Sequence, residues 1–357
     1  MNLDNHKIYQ KLDKGMVTKS IELLPDQIRQ VLSDARLIKI PREYSKVSQV
    51  VVNGMGGSNI GAKILKSAFA KELKVPLLIE PGYNVPAYVN KNTLYLISSY
   101  SGTTEEPLSV YQEVKKRGAK ILAITENSKK SKLRKLMLKE NIPGYTFTPN
   151  YNPSKQPRLG NGYTFFGIAV LLAKSGLLII KVKNINNIIA ELEINTIKLH
   201  PEAKTKNNQA KKIALKLKGK IPTLIAAEHL IGNIKTLRNQ MSETSKQIPN
   251  YLTLPDLNHF ALEGLAYPTD SKKMKIFLFF DSFLYHLRIQ KRSELTKKVA
   301  KKNGTEILSY ALKGKTKLAQ SFELLQLGSW ISYYLSILNN VNPEKIPFVD
   351  WFKKELK

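Results

Sequence analysis

Apolar segments of strand length alternate with amphipathic segments of helical length along most of this chain. This alternation constrains the fold strongly, because a helix between two strands returns the chain to the same end of the sheet and makes the strands parallel. Strands are predicted at 47–52, 75–79, 93–98, 120–124, 145–148, 223–227, 248–252, 275–280 and 306–310. Helices are predicted near 59–72, 104–117, 128–140, 161–176, 230–242, 258–266, 282–302 and 317–338. The pattern predicts an α/β fold of two similar units in tandem, each with a parallel sheet.

A polar segment rich in lysine and asparagine lies between the two halves and ends in KLKGK. It covers residues 182–219, has room for one helix, and is typical of a connector. We therefore predict a first domain over 1–181, a connector over 182–219 and a second domain over 220–357.

Composition and the distribution of apolar residues restrict the setting of the protein. The chain has no cysteine, which excludes disulfides, thiolate metal sites and cysteine nucleophiles. The N-terminus, MNLDNHKIYQ, lacks the hydrophobic stretch of a secretory signal. The most apolar segment, 165–180, is interrupted by glycine, lysine and serine and is shorter than the roughly 20 residues that cross a bilayer. These features predict a cytoplasmic protein without a membrane span.

The net charge of +29 at pH 7 comes mainly from lysines that are spread along the chain. A charge of this size is found in nucleic-acid-binding proteins. However, the sequence has no zinc-finger spacing, no RNA-recognition aromatic signature and no basic region followed by heptads. We therefore predict no nucleic-acid partner and interpret most lysines as solvated residues, whose positive field attracts small anions.

Two turns of the first unit carry the residues that are best suited to bind an anion. GMGGSNIG (54–61), with Gly57 and Ser58 at its tip, follows the first predicted strand, and SSYSGTTEEP (98–107) follows the third. Because the carboxyl ends of parallel strands meet at one edge of a sheet, we expect both turns to face one ligand. Helix capping explains one or two of the hydroxyl groups. A bound phosphate monoester explains the set, which is Ser58, Ser99, Ser101 and Thr104.

A nucleotide is an alternative ligand for the first turn. Its glycines approach the pattern G-x-G-x-x-G of dinucleotide-binding proteins, but Gly61 comes two places late and Ser58 occupies the tip. No Gly-Lys-Ser/Thr follows, so the turn is not a P-loop.

The two turns resemble those of the sugar isomerase (SIS) fold. Motifs further along resemble the bifunctional phosphoglucose/phosphomannose isomerase family, and the resemblance extends over about residues 47–353. It implies two tandem SIS-type, flavodoxin-like subdomains, each a parallel-sheet αβα sandwich. It also implies an aldose–ketose isomerase that interconverts glucose 6-phosphate, and mannose 6-phosphate, with fructose 6-phosphate. The chemistry requires no metal, and we predict no cofactor. The resemblance also implies a homodimer in which His259 reaches across the interface.

Four residues match the catalytic positions of that family. Glu243, within NQMSETSK (239–246), matches the base of an Asn-Glu-Asn-like element, and His259, after Asn258, matches the residue that opens the sugar ring. Arg158, after Pro157, matches the cation that stabilises the enediolate. Lys353, in FKKEL (352–356), matches a lysine at the ring oxygen, with Lys354 as the alternative. Moving a proton between C1 and C2 of a sugar requires such a base, such an acid–base group and such a cation.

These residues also have interpretations without catalysis. Glutamates late in a helix are usually solvated, and a histidine near a helix start commonly caps the helix or lies at the surface. Arg158 stands in a loop flanked by glycine and proline, where a surface role and a functional one are about equally common, and a lysine in a terminal tail is usually a surface residue.

Three elements depart from the family pattern. Ser242 and Thr244 flank Glu243 where the family has asparagines, and GSWIS (328–332) replaces Gly-Asp-Tyr-x-Ser. The family's Asp-Pro-Thr-Pro element reads NPEK (342–345) here. If the family's threonine admits the mannose epimer, Glu344 disfavours the mannose activity, so isomerisation of glucose 6-phosphate is the principal prediction.

Two other classes of function stay open. Another SIS isomerase, such as an arabinose-phosphate isomerase or an amidotransferase isomerase unit, shares the two turns. The first usually carries one SIS unit, however, and the glutaminase of the second needs a cysteine. A non-catalytic sugar-phosphate sensor usually pairs one SIS unit with a helix-turn-helix, for which the N-terminal 45 residues are too short and irregular.

Overall fold

The structure, a computed structural model, describes residues 2–356 of the chain. Within this range the chain forms two compact units. The inserted unit comprises residues 23–190, and the terminal unit comprises residues 2–22 together with 191–356. Residues from both ends of the chain therefore build the terminal unit.

Nine strands occur among residues 2–356, five in the inserted unit and four in the terminal unit. In chain order, β1 to β9 are Gln49–Asn53, Leu77–Ile79, Thr93–Ser98, Lys120–Glu126, Gly144–Phe147, Ile221–Ala227, Asn250–Leu254, Lys275–Asp281 and Glu306–Ala311. Each begins and ends within about two residues of a predicted strand, so the alternating pattern is confirmed for all nine.

The same part of the chain contains fourteen α-helices. In chain order, α1 to α14 are Lys7–Leu12, Val17–Glu22, Leu24–Asp34, Ile60–Ala68, Glu105–Ser109, Tyr111–Lys116, Lys132–Glu140, Asn161–Lys174, Val182–Leu199, Gln209–Leu217, Ile231–Gln240, Leu287–Lys302, Lys317–Leu338 and Pro347–Glu355. None of the helices in residues 2–356 combines the length and the apolar character that crossing a membrane requires.

One predicted helix is wrong. Residues 258–266 contribute to two short 3₁₀ turns, Asp256–His259 and Glu263–Leu265, instead of an α-helix. Leu265 in this segment is buried, but Phe260 is 60% exposed, so its apolar residues do not form the continuous buried face from which short helices gain most of their stability.

The sheet of the inserted unit has the strand order β2-β1-β3-β4-β5, and every neighbouring pair is parallel. Val51 pairs with Tyr95, and Tyr95 pairs with Ile121. These side chains lie in a buried cluster with residues of α6 and α7, while α8 contacts α4, β4 and β5. Helices thus pack against a sheet whose central strands are buried along their length, as expected for an αβα sandwich.

The sheet of the terminal unit has the order β7-β6-β8-β9 and is also parallel throughout. Helix α13 is buried from Leu318 to Leu338 and packs against α10 and α11, while α12 packs against β7, β8 and β9. The segment 182–219, predicted as a connector with room for one helix, contains α9 and α10.

The N-terminal residues are held in the terminal unit by a buried lysine. The ammonium group of Lys211 donates to the carbonyl oxygens of Leu3 at 2.9 Å and Pro201 at 2.7 Å, and contacts a carboxylate oxygen of Asp4 at 3.1 Å. It also lies over the ring of Tyr9. Burial lowers the pKa of Lys211, although Asp4 opposes this effect.

Candidate active site

The turn after β1 approaches a second loop of the inserted unit very closely. The turn after β1 contains a short 3₁₀ turn, Gly56–Asn59, that leads into α4. A Cβ atom at position 57 would lie 2.9 Å from the Cβ of Pro157 and 3.0 Å from the backbone nitrogen of Arg158. Only glycine fits this approach without displacing backbone. Gly57 therefore allows the Pro157-Arg158 element to pack directly on the turn.

Hydrogen bonds join this turn to the one that follows β3. The hydroxyl of Ser58 accepts from the backbone N–H of Tyr100 at 2.8 Å, and the hydroxyl of Ser98 donates to the carbonyl oxygen of Ser58 at 2.9 Å. Ser58 is buried. The expectation that the two turns lie side by side at the carboxyl edge of the sheet is thus confirmed.

The hydroxyl groups after β3 bond mainly to one another. Ser99 is fully buried and donates to the hydroxyl of Thr104 at 3.0 Å, and the hydroxyls of Ser101 and Thr103 lie 3.0 Å apart. Thr104 occupies the N-cap position of α5, but its side chain makes no capping hydrogen bond. Capping therefore does not account for the Thr104 hydroxyl.

Gly102 shapes the second turn. Its φ is +66°, a left-handed conformation that favours glycine, and a Cβ atom there would lie 1.8 Å from the hydroxyl oxygen of Ser131. The turn is therefore folded tightly against the start of α7.

Arg158 brings a positive charge to these turns. It lies in the 3₁₀ turn Pro157–Leu159, is only 1% exposed, and donates from Nη1 to the side-chain oxygen of Gln156 at 2.8 Å. Its backbone is the surface on which Gly57 packs. The inserted unit thus gathers a buried guanidinium, several hydroxyls and the start of α4, a combination suited to a small anion. The role of Gly57, Ser58, Ser99, Ser101 and Thr104 in binding phosphate stays a prediction.

Glu243 lies in an unusual helical turn of the terminal unit. Helix α11 continues into a π-helical turn, Met241–Ser245, which ends at Lys246 in a left-handed conformation. Asn339 donates from its amide to the carbonyl oxygen of Ser245 at 3.0 Å, and Glu243 is half-buried. π-Helical turns occur frequently at functional sites. In the sequence this stretch looks like an ordinary helix end, because no residue pattern distinguishes a π-turn.

His259 and Lys353 lie on two other elements of the terminal unit. His259 is exposed in the 3₁₀ turn after β7. The neighbouring Asn258 anchors that turn to α12, since it donates to the hydroxyl of Thr296 at 2.8 Å and accepts from Arg292 at 3.2 Å. Lys353 and Lys354 are exposed on α14. The catalytic roles of Glu243, His259, Arg158 and Lys353 stay predictions.

Comparison with families and solved structures defines the class of protein. Residues 43–137 match the SIS domain, and residues 206–356 match the bacterial phospho-glucose isomerase C-terminal SIS domain. The fold is similar to that of a hypothetical protein from Thermus thermophilus, with a TM-score of 0.74 at 15% identity over 99% of this chain and 92% of that one. It is also similar to the C-terminal domain of glucosamine-fructose-6-phosphate aminotransferase from Francisella tularensis, with a TM-score of 0.67 at 13% identity over 92% of this chain and 96% of that one. The chain is a protein with two SIS domains.

Curated relatives define the family more narrowly. The chain is 31% identical to the bifunctional phosphoglucose/phosphomannose isomerase of Caldicellulosiruptor bescii, over 95% of this chain and 98% of the relative. It is 28% identical to the enzyme of the same name from Aquifex aeolicus, over 89% of this chain and 93% of the relative. The chain belongs to the bifunctional phosphoglucose/phosphomannose isomerase family.

Proposed function

We propose that this protein is an aldose–ketose isomerase that interconverts glucose 6-phosphate and fructose 6-phosphate through an enediol, in the cytoplasm. The observation that supports this most is the joined pair of turns in the inserted unit, with the buried Arg158 beside them. Family membership supports the same substrate class. A nucleotide or a larger ligand lacks comparable support.

The proposed chemistry uses one carboxylate for the proton transfer. Glu243 removes the proton from C2 of the open-chain aldose and returns it to C1, which gives the ketose. His259 moves the proton at the ring oxygen during ring opening, and Lys353 assists there. Arg158 stabilises the negative charge on the enediolate oxygens. The hydroxyls of the two turns hold the phosphate and so orient the sugar.

Mannose 6-phosphate is the less favoured product in this proposal. Glu344, which stands where the family has threonine, packs against Gly15, because a Cβ atom at Gly15 would meet its carboxyl group. The larger, charged side chain fills this position in place of a small hydroxyl. We therefore expect fructose 6-phosphate to yield more glucose 6-phosphate than mannose 6-phosphate.

The test is a coupled assay on fructose 6-phosphate that reads both aldose products separately, with wild type, Glu243→Gln and Glu202→Gln. Losing a positioned general base lowers kcat by about 100- to 10,000-fold, so Glu243→Gln should lose nearly all turnover. Glu202 is exposed, and Glu202→Gln is the matched control that keeps wild-type activity. An active Glu243→Gln variant would contradict the assignment of the base. A wild type that forms neither product, yet is stabilised against heat by fructose 6-phosphate, would make the protein a sensor.

We further propose a homodimer in which His259 acts in the partner's active site. His259 and the following Phe260 are both exposed in the single chain. Mixing Glu243→Gln with His259→Asn, each inactive alone, would then form hybrid dimers with one intact site. Full exchange of equal amounts restores about a quarter of wild-type activity, because half of the dimers are hybrid. If the mixture stays inactive although light scattering shows dimers and fluorescence energy transfer between differently labelled chains shows that they exchange, His259 acts within its own chain.

A further inference from the structure

Helix α13 holds the π-helical turn of Glu243 at both of its ends. At the start, the side-chain amide of Gln240 donates to the hydroxyl of Ser329 at 2.9 Å. At the end, the side-chain amide of Asn339 donates to the carbonyl oxygen of Ser245 at 3.0 Å. Gln240, Ser329 and Ser245 are buried, and Asn339 is half-buried. The turn is thus fixed to a helix that is itself buried along most of its length.

The hydroxyl groups of the turn weaken its own helical hydrogen bonding. Ser242 donates to the carbonyl oxygen of Arg238 at 2.8 Å, and Ser245 donates to the carbonyl oxygen of Met241 at 2.6 Å. Hydroxyls that bond four residues back in this way destabilise helices slightly and often bend them. A π-helical turn closes its hydrogen bonds over five residues instead of four, so a return to α-helical geometry would rotate Glu243 about the helix axis. The direction of the Glu243 carboxylate therefore depends on the contacts that keep the turn in its π-helical form.

We propose that Asn339 is a positioning residue, which keeps this turn in its π-helical form and so directs the Glu243 carboxylate toward the substrate. This inference rests on the proposed function, in which Glu243 is the base. Asn339 is the C-cap residue of α13, and its side-chain amide reaches the end of a different helical element. The same amide lies 3.5 Å from the side-chain oxygen of Gln247, just after the turn. A purely structural Asn339 would contribute to stability alone, so catalysis separates the two roles.

Asn303 provides a matched control in the same unit. It is the C-cap residue of α12, with φ −84° and ψ 5°, close to the φ −80° and ψ −1° of Asn339. Both residues are half-buried. The side-chain amide of Asn303 donates to the carbonyl oxygen of Val299 at 3.0 Å. Each amide thus makes a hydrogen bond of the same kind, but Asn303 bonds to its own helix and Asn339 bonds to the turn of Glu243.

The experiment compares two substitutions at each position. Asn339→Leu removes the amide, and Asn339→Asp keeps the shape but loses the donor; Asn303→Leu and Asn303→Asp make the same changes at the control position. The readouts are kcat and KM for glucose 6-phosphate, and the deuterium isotope effect on kcat with glucose 6-phosphate labelled at C2. Hydrogen exchange of residues 241–246, followed by mass spectrometry, reports on the turn independently of activity. The melting temperature measures the general effect of losing one hydrogen bond.

We expect both Asn339 variants to lower kcat by on the order of 10- to 100-fold, because a displaced base is no longer aligned with the proton at C2. KM changes much less. The isotope effect on kcat is at least as large as in wild type, because proton transfer is the step that slows. Residues 241–246 exchange faster than in wild type. Both Asn303 variants lower the melting temperature as much as the Asn339 variants do, but they match wild type in kcat, isotope effect and exchange of residues 241–246.

Several results would overturn the inference, and they differ from failure of the proposed function. If the Asn339 variants match the Asn303 variants in kcat, Asn339 has only a structural role. If Asn339→Asp alone is impaired, the added charge causes the loss and the missing donor does not. A lower kcat with unchanged exchange of residues 241–246, or with a reduced isotope effect, would mean that the loss arises elsewhere. A wild type that forms no fructose 6-phosphate would refute the proposed function, and this inference with it, whatever the exchange of the turn shows.

Discussion

At the scale of single residues, two serine hydroxyls in adjoining turns of the inserted unit have different partners. Ser131 is fully buried and accepts from the backbone N–H of Arg134 at 3.0 Å, so it caps α7. Ser101 is half-buried and bonds to the hydroxyl of Thr103. The Ser131 hydroxyl satisfies the backbone of a helix and also contacts the hydroxyl of Thr125. The Ser101 hydroxyl caps no helix and bonds within its own turn, to the hydroxyl and the backbone N–H of Thr103. This difference separates a capping role from a ligand-binding role.

We therefore expect the two alanine substitutions to affect different properties: Ser131→Ala the stability of the protein, and Ser101→Ala the affinity for fructose 6-phosphate. Ser131→Ala removes a helix cap and lowers the free energy of unfolding by about 1 kcal/mol. Ser101→Ala changes it by less than about 0.5 kcal/mol but weakens binding of fructose 6-phosphate at least several-fold. Urea unfolding and titration calorimetry measure the two quantities. If Ser101→Ala keeps wild-type affinity, Ser101 does not contact the phosphate.

Some residues of the candidate site could be predicted from the sequence and others could not. Gly57, Ser58 and Ser99 stand in short local motifs after predicted strands, and the structure joins their turns. Asn152 carries no such signal, because its amide contacts the hydroxyl of Tyr100, a residue 52 positions away that only the fold brings near. A motif shows residues that are close in the chain, whereas the contact of Asn152 with Tyr100 depends on the fold.

At the scale of elements, the strands are easier to predict than the helices. A strand with helices on both faces of its sheet consists almost entirely of apolar residues, as β3 shows, so its limits are visible in the sequence. Helix α9 is harder to recognise within its polar segment, although Ile185, Ile188, Ile189 and Leu192 follow helical spacing and are buried. The spacing is a usable signal, and the high content of lysine and asparagine obscures it.

At the scale of the whole molecule, Lys211 ties the N-terminal residues to the rest of the terminal unit. Lys211→Met is expected to lower the free energy of unfolding of this unit by about 2 to 4 kcal/mol, because the carbonyls of Leu3 and Pro201 lose their donor. Urea unfolding measures the loss, and hydrogen exchange of α1 amides shows whether the N-terminal residues detach. Lys212 is the next residue and is exposed, so Lys212→Met is the control with a change below about 0.5 kcal/mol. Equal effects of both variants would mean that the buried contacts contribute nothing.

The participation of residues 2–22 in the terminal unit sets an order of events during synthesis on the ribosome. These residues emerge first, yet Leu3 and Asp4 both bond to Lys211, which lies 208 and 207 residues later in the chain. At 5–20 residues per second, the interval is roughly 10 to 40 s. The inserted unit can fold within it, whereas Tyr9, Val17 and Ile21, all buried in the finished protein, stay in contact with solvent. The nascent chain thus exposes an apolar segment that chaperones can bind until the last third of translation.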